Sequence, residues 1–251
     1  MRSLNSWKYI CTVQTITDFR ISEGIPDTDD LIRVWLPEIE RAAQDHVPND
    51  RLQAFFIAAL RLAARSKSLD SLTLAKIING SGYSRSTFFR LFEGYTSFLL
   101  RGYQLLCQLS VKVYAKTLAE REMSLDGFVA HTADILYGGT CSTPNDVVKA
   151  IWASSGQDHR QFHPHLAELA LVVRMYLSRN PETAHIQLDP DDLPQVLRLL
   201  DWDLLQARID GSDRFPSTAH YWRLRTLLSG YLKERDAASR AAAQVSETDA
   251  I

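Results

Sequence analysis

The stretch from Thr73 to Phe92 constrains this chain more than any other. Two short apolar segments follow one another there, Leu74, Ile77 and Ile78 and then Phe88, Leu91 and Phe92, with Asn79-Gly80-Ser81-Gly82 between them. Thr73 stands before the first segment and Ser84 before the second, each able to accept a hydrogen bond from the free amides of a helix start. Asn79 and the glycines stop the first helix, and Gly94 breaks the chain after the second. Helices this short do not persist alone in water, so a longer helix must hold them. From Arg51 onward, Leu52, Phe55, Phe56, Ala59, Leu60 and Ala63 form one apolar face at helical spacing. After the polar break of Ser66 to Ser71 the short pair begins. Two short helices joined by a glycine-containing turn behind a supporting helix have the layout of a helix-turn-helix unit. In such a unit the last helix offers its N-terminal residues to base edges in the major groove.

Charge is distributed in keeping with that expectation. The whole chain carries only -2. From Pro48 to Arg101, however, eight basic residues (Arg51, Arg61, Arg65, Lys67, Lys76, Arg85, Arg90, Arg101) face three acidic ones (Asp50, Asp70, Glu93), a net +5 that leaves -7 for the remainder. A basic head on an acidic body suits a protein that sets one end against phosphates.

The rest of the chain reads as helical. Trp7, Tyr9, Cys11 and Val13 alternate as a short strand does, and Thr28, with Asp29 and Asp30 behind it, opens a helical pattern through Leu31, Trp35, Ile39 and Ala42 that Pro37 is placed to kink. Behind the head a long helix is expected from Tyr95 to Arg121, followed by Leu125 to Leu136, Pro144 to Ala153, Leu166 to Leu177, Leu193 to Ala207 and Ser217 to Lys233. Leu193, Leu197, Leu200 and Leu204, and then Tyr221, Leu224, Leu228 and Tyr231, have the spacing of a helix-helix seam. The expected organisation is all-α: an extension over 1–48, a helix-turn-helix domain over 49–95, a helical body over 96–235 and a flexible tail over 236–251.

The longest apolar stretch, Leu166 to Leu177, is interrupted by Glu168 and Arg174 and is far short of the ~20 residues of a membrane span. With no secretory apolar core at the N-terminus, a cytoplasmic location is expected. Cys11, Cys107 and Cys141 are widely spaced and contain no CxxC pair, so buried thiols are expected rather than a disulfide framework or a zinc knuckle.

The run Phe55 to Leu100 resembles the DNA-binding domain of the TetR family of bacterial regulators. Thr73-Leu74, Ile77, Ser81-Gly82-Tyr83-Ser84, Ser86-Thr87-Phe88-Phe89-Arg90-Leu91-Phe92 and Phe98-Leu99 fall in that family's register without a gap. The resemblance implies a homodimer joined through the last two helices, a roughly palindromic double-stranded operator and a small-molecule effector held in the body. It also implies DNA contacts from Thr73, Ser84, Arg85, Ser86, Thr87, Phe89, Arg90 and Tyr95. Thr73 and the amides behind it would take a phosphate oxygen, Arg85 would reach guanine with two hydrogen bonds, and Arg90 would lie near phosphate. Two positions depart from the pattern. The family commonly has Tyr at Phe89 and Lys at Tyr95, both contacting the DNA backbone; Phe89 lacks a hydroxyl, while Tyr95 keeps a donor without a charge. Ile78 is also bulkier than the residue the family favours.

Other constellations have plainer readings. His159, His163 and His165 are dense, but Pro164 interrupts them and no acidic or cysteine partner completes a metal set, so a helix start or a pocket edge is expected. Asp189, Asp191 and Asp192 precede a helix and face its positive end. Trp152, Phe162, Met175, Tyr176 and Trp202 fit either core packing or an apolar effector cavity. The chain has no phosphate-binding glycine loop, GxSxG or HExxH, so no cofactor, metal or catalytic activity is expected. A scaffold of the same fold that binds a protein through its head is the rival to DNA binding.

Overall fold

The computed structural model describes residues 28–65, 72–141, 143, 145–156, 158, 163, 165–210 and 218–248. Among them are ten α-helices and no strand. They are α1 (Thr28–His46), α2 (Asp50–Arg65), α3 (Leu74–Ser81), α4 (Arg85–Leu91), α5 (Tyr95–Ala119), α6 (Leu125–Cys141), α7 (Asn145–Ser154), α8 (Leu166–Arg179), α9 (Asp192–Ile209) and α10 (Thr218–Thr248). The all-α expectation holds. The expected strand near Trp7 to Val13 lies outside the described residues, as do Lys67, His159 and Phe162.

The chain divides into two compact units. The first comprises residues 1–117 with 141–162, and the second 118–140 with 163–251. The division runs through α5, so that α5 as far as Thr117, and α7, belong with α1 to α4. The reason lies in the inner face of α5, whose Phe98 joins the aromatic core of the short helices.

In the first unit, α2 is the supporting element. Asn49 starts it by accepting from the amides of Arg51 (3.1 Å) and Leu52 (3.0 Å). The preceding helix is tied to it by Gln53, whose amide donates to the Ala43 carbonyl at 2.9 Å, and by the two hydrogen bonds of Arg61 to Glu40, at 2.6 and 2.7 Å. Pro37 lies inside α1. On its inner face α2 buries Phe55 completely, at the centre of a cluster with Tyr83, Phe88 and Phe92 at ring separations of 5.9, 5.4 and 6.1 Å. Phe98 of α5 completes the cluster, 5.2 Å from Phe88 and 4.9 Å from Phe92. Aromatic pairs of this kind add about 0.5–1.5 kcal/mol each beyond the area they bury. Opposite them α3 comes so close to α2 that a Cβ on Gly80 would stand 3.2 Å from that of Ala58.

In the second unit, α8, α9 and α10 pack in sequence. Tyr176 of α8 stacks on Phe128 of α6 at 5.0 Å, and its hydroxyl accepts from the Met123 amide at 2.8 Å. Leu193, Leu197, Leu200 and Leu204 of α9 and Tyr221, Leu224 and Leu228 of α10 are all buried. The expected seam is therefore consumed inside this single chain. Large apolar side chains that remain exposed lie on the opposite faces, among them Leu199 (71% exposed) and Trp202 on α9 and Trp222 and Leu227 (51%) on α10. The last helix also continues past Asp236, where fraying was expected, to Thr248. Three contacts explain the extension: Arg235 pairs with Asp192, His185 with Asp236, and the Ser239 hydroxyl accepts from the Gln187 amide at 2.9 Å.

Candidate functional site

The turn between α3 and α4 is built as its sequence demands. Thr73 caps α3, its hydroxyl accepting from the Lys76 amide at 3.3 Å, and Gly82 ends the helix in the left-handed region at φ 73°. A side chain with a Cβ is disfavoured there by about 1–2 kcal/mol, which is why glycine stands at this position. Ser84 caps α4, accepting from the Thr87 amide at 3.2 Å, and its hydroxyl also lies 2.8 Å from that of Ser86 and 3.0 Å from that of Thr87. Ser81 joins the two caps, donating to the Ile78 carbonyl at 2.8 Å and accepting from the Tyr83 amide at 3.2 Å.

Along α4 the side chains sort sharply. Thr87 and Phe88 turn inward and are buried, while Arg85, Ser86, Phe89 and Arg90 are exposed, together with Ser84 at the cap. The Arg85 guanidinium lies over the Phe89 ring, 5.6 Å from its centroid. Phe89 is 46% exposed. Thr73 and Lys76 are exposed at the start of α3. The structure thus brings Ser84, Arg85, Ser86, Phe89 and Arg90 onto one short exposed surface.

Two of the expected contact residues are used otherwise. Thr87 is only 8% exposed and its hydroxyl is engaged with Ser84, so it braces the cap from within instead of reaching outward. Tyr95, expected to offer its hydroxyl to phosphate, donates it to the Leu72 carbonyl. A phenol has one hydrogen to give, and burial of this one also pushes its pKa up. Leu72 is buried ahead of α3, and a carbonyl there requires a donor. Arg61, counted among the basic residues of the head, is compensated by Glu40. That pair raises its pKa, first through the hydrogen bonds and then through charge, with desolvation opposing.

The histidine and aspartate groups have structural uses. His163 pairs with Asp201 of α9 and lies 5.2 Å from His165, edge to face. Asp191 precedes α9 without a side-chain capping bond, its amide donating to Asp189 at 2.8 Å, and Asp192 pairs with Arg235. Among the described residues no group of three His, Cys, Asp or Glu side chains is arranged to hold a metal. Of the large apolar residues considered for a cavity, Tyr176 is packed on Phe128, Trp152 is buried on α7, and Met175 and Trp202 are exposed. Cys107 is half-buried. Sequence reasoning missed the Tyr221 to Asp134 hydrogen bond, 2.7 Å long, and the complete burial of Arg208. Neither has a local signal, because each depends on packing between distant segments. No helix among the described residues is long and apolar enough to cross a membrane. No protein-family model matches the chain, and neither a curated protein nor a solved structure is similar enough to be matched to it.

Proposed function

We propose that this chain is a sequence-specific DNA-binding transcriptional regulator, a TetR-like dimeric repressor that a small molecule releases from its operator. The observation that carries the reading is the exposed row Arg85, Ser86, Phe89 and Arg90 on a short helix whose opposite side is fixed by Phe88 in an aromatic core. Rigid presentation of a guanidinium and hydroxyls from a helix narrow enough to enter the major groove is what direct base readout requires. Arg85 is assigned the bidentate contact to guanine. Thr73, Lys76 and Arg90 supply backbone contacts, and Tyr95 does not.

The second copy is assigned to the outer faces of α9 and α10, where Leu199, Trp202, Trp222 and Leu227 are exposed. Two heads held in this way would meet half-sites about one helical turn apart. Sedimentation at working concentration should give a dimer; a monomer would remove that part of the proposal. Arg85→Ala should weaken binding to a selected site by about 1–3 kcal/mol and binding to random DNA much less. Equal loss on both would exclude base readout.

A second reading, a TetR-like scaffold that binds a protein partner, is favoured by the exposed Phe89 ring, together with the separate finding that the Tyr95 hydroxyl is already in use. Salt separates the two. Affinity for DNA should fall steeply as salt rises, whereas an apolar protein contact should not weaken.

A further inference from the structure

The first unit contains a cavity that the exposed surface of α4 does not use. It has about 510 Å³ of empty space, its open mouth included, and lies among α2, α5 and α7. Phe56 and Leu60 of α2, Leu72, Leu106 of α5, and Val147 and Ile151 of α7 form its walls. Along α5 the wall is interrupted at Gly102, where a Cβ would meet no atom within 4 Å. Among the described residues no charged side chain lines it, and the polar side chains on the wall are those of Tyr103 and Thr143. A water held in a protein site needs two to four polar partners, and these walls offer few, whereas an apolar guest needs none. A charged ligand entering here would lose its hydration without recompense.

We propose that this cavity binds a small, uncharged, predominantly apolar molecule, and that its occupancy is coupled to the short helices α3 and α4. The coupling follows from what the walls do elsewhere. Phe56 follows Phe55, the centre of the core beneath α4, and Leu72 carries both the carbonyl that holds Tyr95 and the chain into the Thr73 cap. A guest that spreads α2 from α5 must therefore move the support of α4 or the start of α3. This makes the cavity the effector site of the regulator, a role that rests on the proposed DNA-binding function, whereas ligand binding itself does not.

The test uses the full chain and the neutral fluorophore N-phenyl-1-naphthylamine. Wild type should bind it saturably, one per chain, and its sulfonated analogue 1-anilinonaphthalene-8-sulfonate at least about tenfold more weakly. Gly102→Leu, which places a good helix former in open space, should keep or raise the melting temperature while weakening the neutral probe at least about tenfold. Ala59→Leu, from the opposite wall, should do the same. A folded variant of either kind that binds like wild type overturns the site. Crystals of the wild type under xenon pressure give a reading free of variants: xenon among α2, α5 and α7 is expected, and xenon only elsewhere overturns the site. Hydrogen exchange over residues 74–91 should change with probe in wild type and not in Gly102→Leu; no change in wild type overturns the coupling. If the chain fails to bind DNA, all of these results stand or fall independently, so loss of the regulatory role is distinguishable from loss of the site.

Discussion

Two ionisable groups one turn apart on α6 are shifted in opposite directions, and their cancellation can be exposed by one substitution. Burial raises the Asp134 carboxyl from 3.8 to about 6, against the hydrogen bond from Tyr221 and the nearby charge of Arg225, which lower it. Burial, with the charge of Arg121 added, lowers the His131 imidazole from 6.5 to about 4. The folded state holds the Asp134 proton more tightly than the unfolded chain does. That contribution is full below pH 3.8 and is lost as pH rises through about 6. His131 is the reverse: its contribution is full above pH 6.5 and is lost as pH falls through about 4. At 1.36 kcal/mol per pKa unit each amounts to about 3 kcal/mol, so across pH 4 to 6 the two slopes nearly offset. Asp134→Asn keeps an oxygen to accept from Tyr221 and removes one of the two titrations. The variant should exceed wild type by about 1–3 kcal/mol at pH 7, lose that margin near pH 4, and show the His131 slope unopposed. Urea unfolding followed by circular dichroism at half-unit intervals from pH 4 to 7.5 measures this directly. Parallel curves for the two proteins would refute the burial argument.

Two further outcomes follow from the turn and its tie to α5. Gly82→Ala, forced into the left-handed region, should cost about 1–2 kcal/mol in urea unfolding, whereas Gly94→Ala, whose Cβ meets nothing within 4 Å and whose φ is not positive, should be close to neutral. Tyr95→Phe leaves the carbonyl of buried Leu72 without its donor and should cost about 1–3 kcal/mol in the same assay.

Local chemistry was legible in the sequence and distant pairing was not. The caps at Thr73 and Ser84 and the stop at Gly82 lie where hydroxyl and glycine residues require them, because each acts on amides and dihedrals within three residues. The starts of α5, α6 and α8 likewise coincide with their apolar patterns. The partners of Tyr95, Arg61, His163 and Asp134 lie from 21 to 87 residues away, and no spacing rule reaches that far. The leucine spacing on α9 was ambiguous for a different reason. A face repeating every three and four residues is equally suited to a partner in the same chain or in another, and here Leu193 to Leu204 meet the core of their own unit.

The hydrogen bond of Tyr95 gives a structural use to the tyrosine at a position where the resembled family commonly has lysine. A lysine at that position would point a charge outward and leave the Leu72 carbonyl to another donor. Tyrosine reaches inward instead and fastens the first turn of α5 to the segment that opens α3. The two ends of this tie bracket Thr73 and the exposed face of α4, and Leu72 is also a wall of the apolar cavity. If the regulator reading holds, a charge lost from the DNA contact is exchanged for a rigid link between the ligand cavity and the reading helix. Affinity for phosphate would then depend on Lys76, Arg85 and Arg90, and the response to ligand on whether Tyr95 and Leu72 move together.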